Sequence, residues 1–196
     1  MKAQELIMVI RSFLKDDNIE GHIFSDGFLL DYLSRAQNTL ISQFKENIQT
    51  LKIRIKENEP ITLPSRIAYI FHIALNGVEI KHASPIHAFK SPTPCFYHLS
   101  RRQYAITKGA SGELEICASF FAPPLETKED KVTLDALYTH AVILEAFCDI
   151  LLIENTSFNP QRRAYYCQAR EEEKARLRGI HNTSNAKGVI ESKSQM

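Results

Sequence analysis

At 196 residues with 44% hydrophobic and 24% charged side chains, the chain has the composition of an ordinary globular protein with room for a sizeable core. A net charge of +1 excludes a long-range field that would draw the whole molecule to nucleic acid or anionic lipid, so any such contact must be local. The N-terminal stretch carries Glu5 and Arg11, and the apolar run 141–153 is short and broken by Glu145 and Asp149; neither reads as a signal peptide or a membrane span, and a soluble, unexported protein is expected.

Ala3 to Lys15 sets Leu6, Ile7, Ile10, Phe13 and Leu14 on one helical face, with Lys2, Glu5 and Arg11 elsewhere. Asp16, Asp17, Asn18 and Gly21 end this helix. Ser25 reads as the N-cap of a second helix, 26–45, in which Asp26 suits the helix dipole and Phe28, Tyr32, Leu33, Ala36, Leu40 and Phe44 recur at helical spacing. The period then changes. Leu51, Ile53 and Ile55 alternate with Lys52, Arg54 and Lys56, the mark of a strand with one buried and one wet face. Ile67 to Leu75 is a stronger strand, and Asn76–Gly77 supplies a type I′ turn into Val78, Glu79 and Ile80. A proline-rich loop with Pro85, Pro92 and Pro94 follows, then strands at Tyr104–Thr107 and Glu113–Phe121. Pro123–Pro124 closes a β-rich insertion of about 46–122.

Helix returns at 131–154, apolar nearly all round and therefore expected at the centre of the core. Asn159–Pro160 caps a last helix, 160–178, where Glu172 precedes Arg176 at a supporting spacing and Gly179 reads as the C-cap. Residues 181–196 form a polar tail without aromatics, whose sizeable apolar side chains are Val189, Ile190 and Met196. Such a segment does not offset its own ordering entropy. Fully extended it reaches roughly 50–55 Å at ~3.3–3.6 Å per residue, against a radius of gyration near ~16 Å for a globule of this size. The expected class is α+β: a bundle of about four helices with a central β-rich insertion, residues 1–180, and an extended C-terminal arm, 181–196.

Local chemical motifs are scarce. No phosphate-binding glycine loop, nucleophile elbow or H-E-x-x-H pair occurs. His82, His87, Cys95 and His98 share one loop, and Cys95 and His98 have a C-x-x-H spacing a metal uses; histidines in a polar loop beside a small thiol are the structural alternative. Cys95, Cys117, Cys148 and Cys167 are scattered and read as reduced thiols. Cys148 and His140 lie two turns apart on one helix, too far for a thiolate–imidazole bond. Glu145 and Asp149 resemble a carboxylate pair, but read as a solvated helix edge or as partners of Arg162 or Arg163. Lys52, Arg54 and Lys56 on one strand face, and Arg101–Arg102 beside Tyr97 and Tyr104, are the local basic surfaces that could meet DNA. No catalytic residue, metal ligand or cofactor is assigned.

The segment "FSDGFLLDYLSRAQNTLISQF", through Phe24, Ser25, Asp26, Leu29, Leu30, Tyr32, Leu33 and Ala36, resembles the N-terminal half of tailed-bacteriophage head-to-tail adaptor (connector) proteins, though Arg35 and Gln37 stand where Asn and Glu are frequent. "LPSRI" (Leu63 to Ile67) leading into "IALNGVEI" (Ile73 to Ile80), and "LDALYTHAVILEAFCDI" (Leu134 to Ile150) before a charged last helix, are similar to the middle and C-terminal parts of that family. The resemblance implies a non-enzymatic virion protein of the neck, made in the host cytoplasm. It implies a homo-oligomeric ring, a dodecamer, between the portal protein and a tail tube or nozzle protein, with at most non-specific contact to passing DNA and no membrane partner. It further implies that the C-terminal arm, with His181, Val189, Ile190 and Met196, docks on the portal. Arg162, Arg163, Tyr165 and Tyr166 are then candidates for contacts between subunits, and Lys52, Arg54 and Lys56 for the lumen. The nearest alternative is another neck or tail-completion protein; a metal protein using the His82–His98 loop is the other.

Overall fold

The computed structural model describes residues 1–16, 23–57, 59–153 and 160–193, with side chains to 183. The chain divides into two compact units, a helical one of 1–40 and 123–196 and a β unit of 41–122. This corrects the expected helical bundle with an insertion. The β region builds its own two sheets around its own core, so the chain is mixed α and β rather than a bundle interrupted by strands.

In the helical unit, α1 (Ala3–Leu14) buries Ala3, Leu6, Ile7 and Ile10 and stops where Lys15 turns left-handed at φ 58°. α2 (Asp26–Phe44) begins as expected, with the Phe28 N–H donating to the Ser25 hydroxyl at 3.2 Å. Its Ser34 and Gln37 are buried and bind the chain that returns from the β unit. The Leu125 N–H donates to Ser34 Oγ at 2.8 Å and the Thr133 N–H to Gln37 Oε1 at 3.2 Å. The N-terminus is tied to the same returning segment, through the Ala3 N–H on the Asp130 carbonyl and the Gln4 N–H on the Lys128 carbonyl.

The central helix starts later than its hydrophobic pattern predicts. Residues 131–135 stay outside the helix, with Val132 and Leu134 buried, and Asp135 caps a short 3-10 turn by accepting from the Leu137 N–H at 2.7 Å. α4 (Thr139–Ile150) follows and buries Ala141 to Cys148 without a break. The last helix, numbered α5 below, runs Pro160–Lys193, about 50 Å at 1.5 Å per residue. It passes straight through Gly179, so residues 181–193 are helical and the expected extended arm is overturned. A mid-helix glycine costs only about 1 kcal/mol relative to alanine, too little to stop a helix that finds packing beyond it.

In the β unit, β1 (Ile48–Ile55), β3 (Ile67–Leu75), β4 (Val78–Glu79) and β8 (Gly112–Phe120) form an antiparallel sheet in the order β1-β8-β3-β4. Asn76 and Gly77, both at positive φ, make the expected hairpin turn. β2 (Ile61–Thr62), β5 (Lys81–Ala83), β6 (Cys95–Ser100) and β7 (Gln103–Ile106) form a second sheet in the order β2-β7-β6-β5. The proline-rich stretch is not a loop. It holds β5, the short helix α3 (Pro85–Lys90) and β6, a crossover that leaves β5 and β6 parallel. One apolar cluster joins the inner faces of both sheets, with Leu114, Ile116, Ala118 and Phe96 fully buried at its centre. No described helix is long and apolar enough to cross a membrane.

Candidate functional site

Four places carry the residues that the sequence singles out. The basic stripe on β1 is the first. Lys52 pairs across the sheet with Glu115 and Arg54 with Glu113, and the Lys52 ammonium engages both carboxylates, that of Glu113 at 3.2 Å. This ion pairing holds the Lys52 pKa above and the Glu115 pKa below their ordinary values. Lys56 meets Glu59 at 3.5 Å. The face therefore presents alternating charge, not a cationic track. The aromatics beside Arg101 and Arg102 are likewise taken up internally: Tyr104 stacks on Phe96 at 4.8 Å and Tyr97 is buried against α3. Neither is left free to stack on a base.

The histidine group is the second. His82 lies on β5, His87 on α3, and Cys95 and His98 on β6. The Cys95 thiol is buried near the Thr93 carbonyl, the His87 ring meets the Ser84 hydroxyl at 2.8 Å, and the His98 ring meets the Arg101 carbonyl at 2.9 Å. His82 and His98 both flank the Tyr104 ring. Among the described residues no group of three His, Cys, Asp or Glu side chains stands together as a metal requires.

The third place lies between α4 and α5. Glu145 is buried, not solvated, and its partners are Lys174 at 2.7 Å and Arg170 at 3.8 Å, two to three turns along α5 from the expected Arg162 and Arg163. Burial, and then the nearby Glu145 charge, raise the pKa of Asp149. Cys148 meets Cys167 rather than His140, and burial together with that contact pushes its thiol up to about 12. A thiol so protonated is no nucleophile at neutral pH. His140 instead faces Glu173 at 3.8 Å. The polar residues of this helix pair serve to hold it together.

No family model and no curated protein matches the chain.

The subunit-contact candidates at the start of α5 separate by role. Tyr166 packs edge-on to Phe147 at 4.6 Å and near Phe13, and Arg162 lies over the Phe147 ring at 5.8 Å. Arg163 lines a cavity of about 240 Å³ with Pro160, Ala164 and Cys167. Tyr165 alone of the four is presented outward, 68% exposed. In the tail, His181 turns back onto its own unit, its ring bonded to the hydroxyl of the buried Tyr138. The side chains of Val189 and Ile190, and all of Met196, lie outside the described residues, as do Asp17, Asn18, Gly21 and Asn159.

Sequence reasoning missed an exposed apolar pair in the β unit. Ile86 and Phe89, 68% and 71% exposed, stand on one side of α3 while Ala88 between them is buried. Ile and Phe three residues apart in a proline-opened turn of helix were the available signal.

Proposed function

We propose that this chain is a non-enzymatic structural subunit of a tailed-bacteriophage neck, a head-to-tail adaptor that forms a ring between the portal and the tail. The observation that carries the reading is the distribution of exposed apolar side chains. Met8 on α1 and Tyr165 on α5 in the helical unit, and Val78, Ile86 and Phe89 in the β unit, are each more than 60% exposed. A subunit enclosed by neighbours on several sides has use for such residues, whereas an enzyme gathers its apolar surface into one pocket. The order of elements, with a capped α2, the hairpin at Asn76–Gly77 and the buried α4 before a long charged helix, supports the same reading.

In this proposal the portal contact belongs to the C-terminal part of α5, presented as a helix rather than as a strand. An amphipathic or groove-docked helix is a common mode of such recognition. Repetition around a ring raises the affinity of a weak end through effective concentration. The test is removal of residues 181–196, followed by attachment to portal-bearing capsids. Loss of attachment by a truncated chain that still folds supports the docking role. Unchanged attachment overturns it, and binding to isolated tail tubes in place of portals assigns the chain to the neighbouring neck layer.

A further inference from the structure

The sheet ordered β1-β8-β3-β4 has two open edges, β1 and β4, and these edges match one another. Two rows of side chains cross it. On the outer face, Lys52, Glu115, Ala74 and Glu79 stand in line; on the inner face, Ile53, Leu114, Leu75 and Val78 do. Each row ends unsatisfied. Val78 is 67% exposed at one edge while Ile53 is only partly buried at the other. Glu79 has a side chain 75% exposed, with His72 as its ion-pair neighbour at 3.9 Å. At the opposite edge Lys52 is engaged by Glu113 and Glu115 and Lys56 by Glu59, which leaves Arg54 as the exposed cation of the stripe without an ion pair among the described residues.

The backbone agrees with the side chains. In antiparallel pairs, residues alternate between bonding the neighbour and facing away from it. The Ile80 N–H donates to the Ile73 carbonyl, so the main-chain groups of Glu79 face the open side. The Phe120 N–H donates to the Asn47 carbonyl, so by the same alternation Ile48, Thr50, Lys52 and Arg54 face outward from β1.

We infer that copies of this chain join head to tail through this sheet, β4 of one copy pairing with β1 of the next. The strand directions require it to be antiparallel, because β1, β8, β3 and β4 alternate and a translated copy continues the alternation. Unstaggered continuation sets Glu79 opposite the next copy's Lys52, both with outward main-chain groups, so that the two exchange a pair of hydrogen bonds. The same register sets Val78 opposite Ile53 and Ile80 opposite Leu51, covering the half-exposed inner residues of β1. Glu79 then lies between Lys52 and the diagonal Arg54, within reach of both. Self-pairing of two β1 edges would place cation against cation, which disfavours a two-fold dimer here. A heterologous contact of this kind generates a ring when its rotation closes. The inference names the seam of the ring proposed above and rests on that reading for closure.

The test is the concentration dependence of self-association of the full chain, followed by sedimentation velocity and native mass spectrometry. Glu79→Lys and Arg54→Glu, both at exposed positions, are each expected to weaken association at least about tenfold, and the double charge reversal to restore most of it. Amide exchange in the assembled wild type should slow at Glu79 and Lys52. Equal association by Glu79→Lys and wild type overturns the seam while a ring assembled by other contacts stands. A wild-type chain that stays monomeric also overturns the seam, and its attachment to portal-bearing capsids then decides the neck reading separately.

Discussion

The helical unit buries Arg11, Asp16, Gln37, Glu145, Glu173 and Lys174, whereas no buried side chain described in the β unit is one that carries charge at neutral pH. The two units therefore reach stability by different routes. The β unit relies on an apolar layer between its sheets, non-directional and indifferent to pH. The helical unit sets charges where water is excluded, so its elements must meet in one geometry. Arg11 illustrates this: it donates to Asp16 at 2.6 Å, to the Phe24 carbonyl at 2.9 Å and to Asp26 at 2.8 Å, while Lys128 holds the other oxygen of Asp26 at 2.8 Å. The guanidinium thereby ties α1 to the start of α2, and Asp26 passes the tie on to Lys128 of the returning segment.

The largest expected effect is in the β unit. Phe96→Ala removes a fully buried ring that stacks on Tyr104, and should cost about 3–5 kcal/mol by lost transfer energy and cavity formation. Denaturant unfolding at two salt concentrations checks it, because the loss should be the same in both. Arg11→Met should cost about 3 kcal/mol, since it removes the counter-charge of the buried Asp16 carboxylate and leaves it only backbone donors such as the Ile23 N–H. Here the loss should shrink when Asp16→Asn is added, as both partners of the pair are then gone. If Arg11→Met proves neutral on its own, the contrast between the units fails.

The same contrast explains what the sequence reveals and what it hides. α1, α2, β1 and the Asn76–Gly77 turn are legible because local pattern and final environment agree: apolar spacing marks the buried face and positive φ falls on Asn and Gly. Arg11 breaks that agreement. A charge within an apolar run reads as solvated, and only its distant partners Asp16 and Asp26 make it a buried one. β5, α3 and β6 are hidden for another reason. Their short apolar groups are separated by prolines, and the parallel pairing of β5 with β6 is decided by contacts across the crossover. The onset of α4 at Thr139 and the passage of α5 through Gly179 are tertiary outcomes that override propensity. At the candidate site, the edge residues Lys52, Arg54 and Glu79 are plain in the sequence, but the alignment of their rows depends on the register of four strands.

Acid sharpens the comparison further. Hydrogen bonds from Lys128 and then Arg11 hold Asp26 below its ordinary 3.8, and those from Arg176 hold Glu173 below its ordinary 4.5. A carboxyl with a depressed pKa stabilises the fold above its unfolded value, and that contribution is lost as pH falls through the folded value. Asp149, with its pKa raised, acts in the opposite sense, so Asp149→Asn should stabilise at neutral pH and lose its advantage below 3.8. Glu115 in the β unit is also held low by Lys52, but that pair lies on the charged outer face of the sheet, where salt screens it. Hydrogen exchange stepped downward from pH 5 should therefore show the helical unit losing protection before the β unit. Simultaneous loss in both would show that the buried charges do not set the acid limit.

The smallest effect expected is at Tyr138, whose ring is buried and whose hydroxyl bonds His181 on α5. Tyr138→Phe keeps the ring and removes the hydroxyl's bond to His181, worth about 1 kcal/mol. Global stability should hardly move, because a bond at the far part of α5 reports local rather than global opening. The change should be visible in amide exchange over 179–183, where the Thr183 hydroxyl bonds the Gly179 carbonyl and the helix has passed its glycine. Faster exchange confined to that stretch would identify Tyr138 as the anchor that carries α5 past Gly179. Unchanged exchange there would mean that the continuous ladder of α5 holds this stretch without help from the core, and that the C-terminal part of the helix is free to dock without first releasing His181.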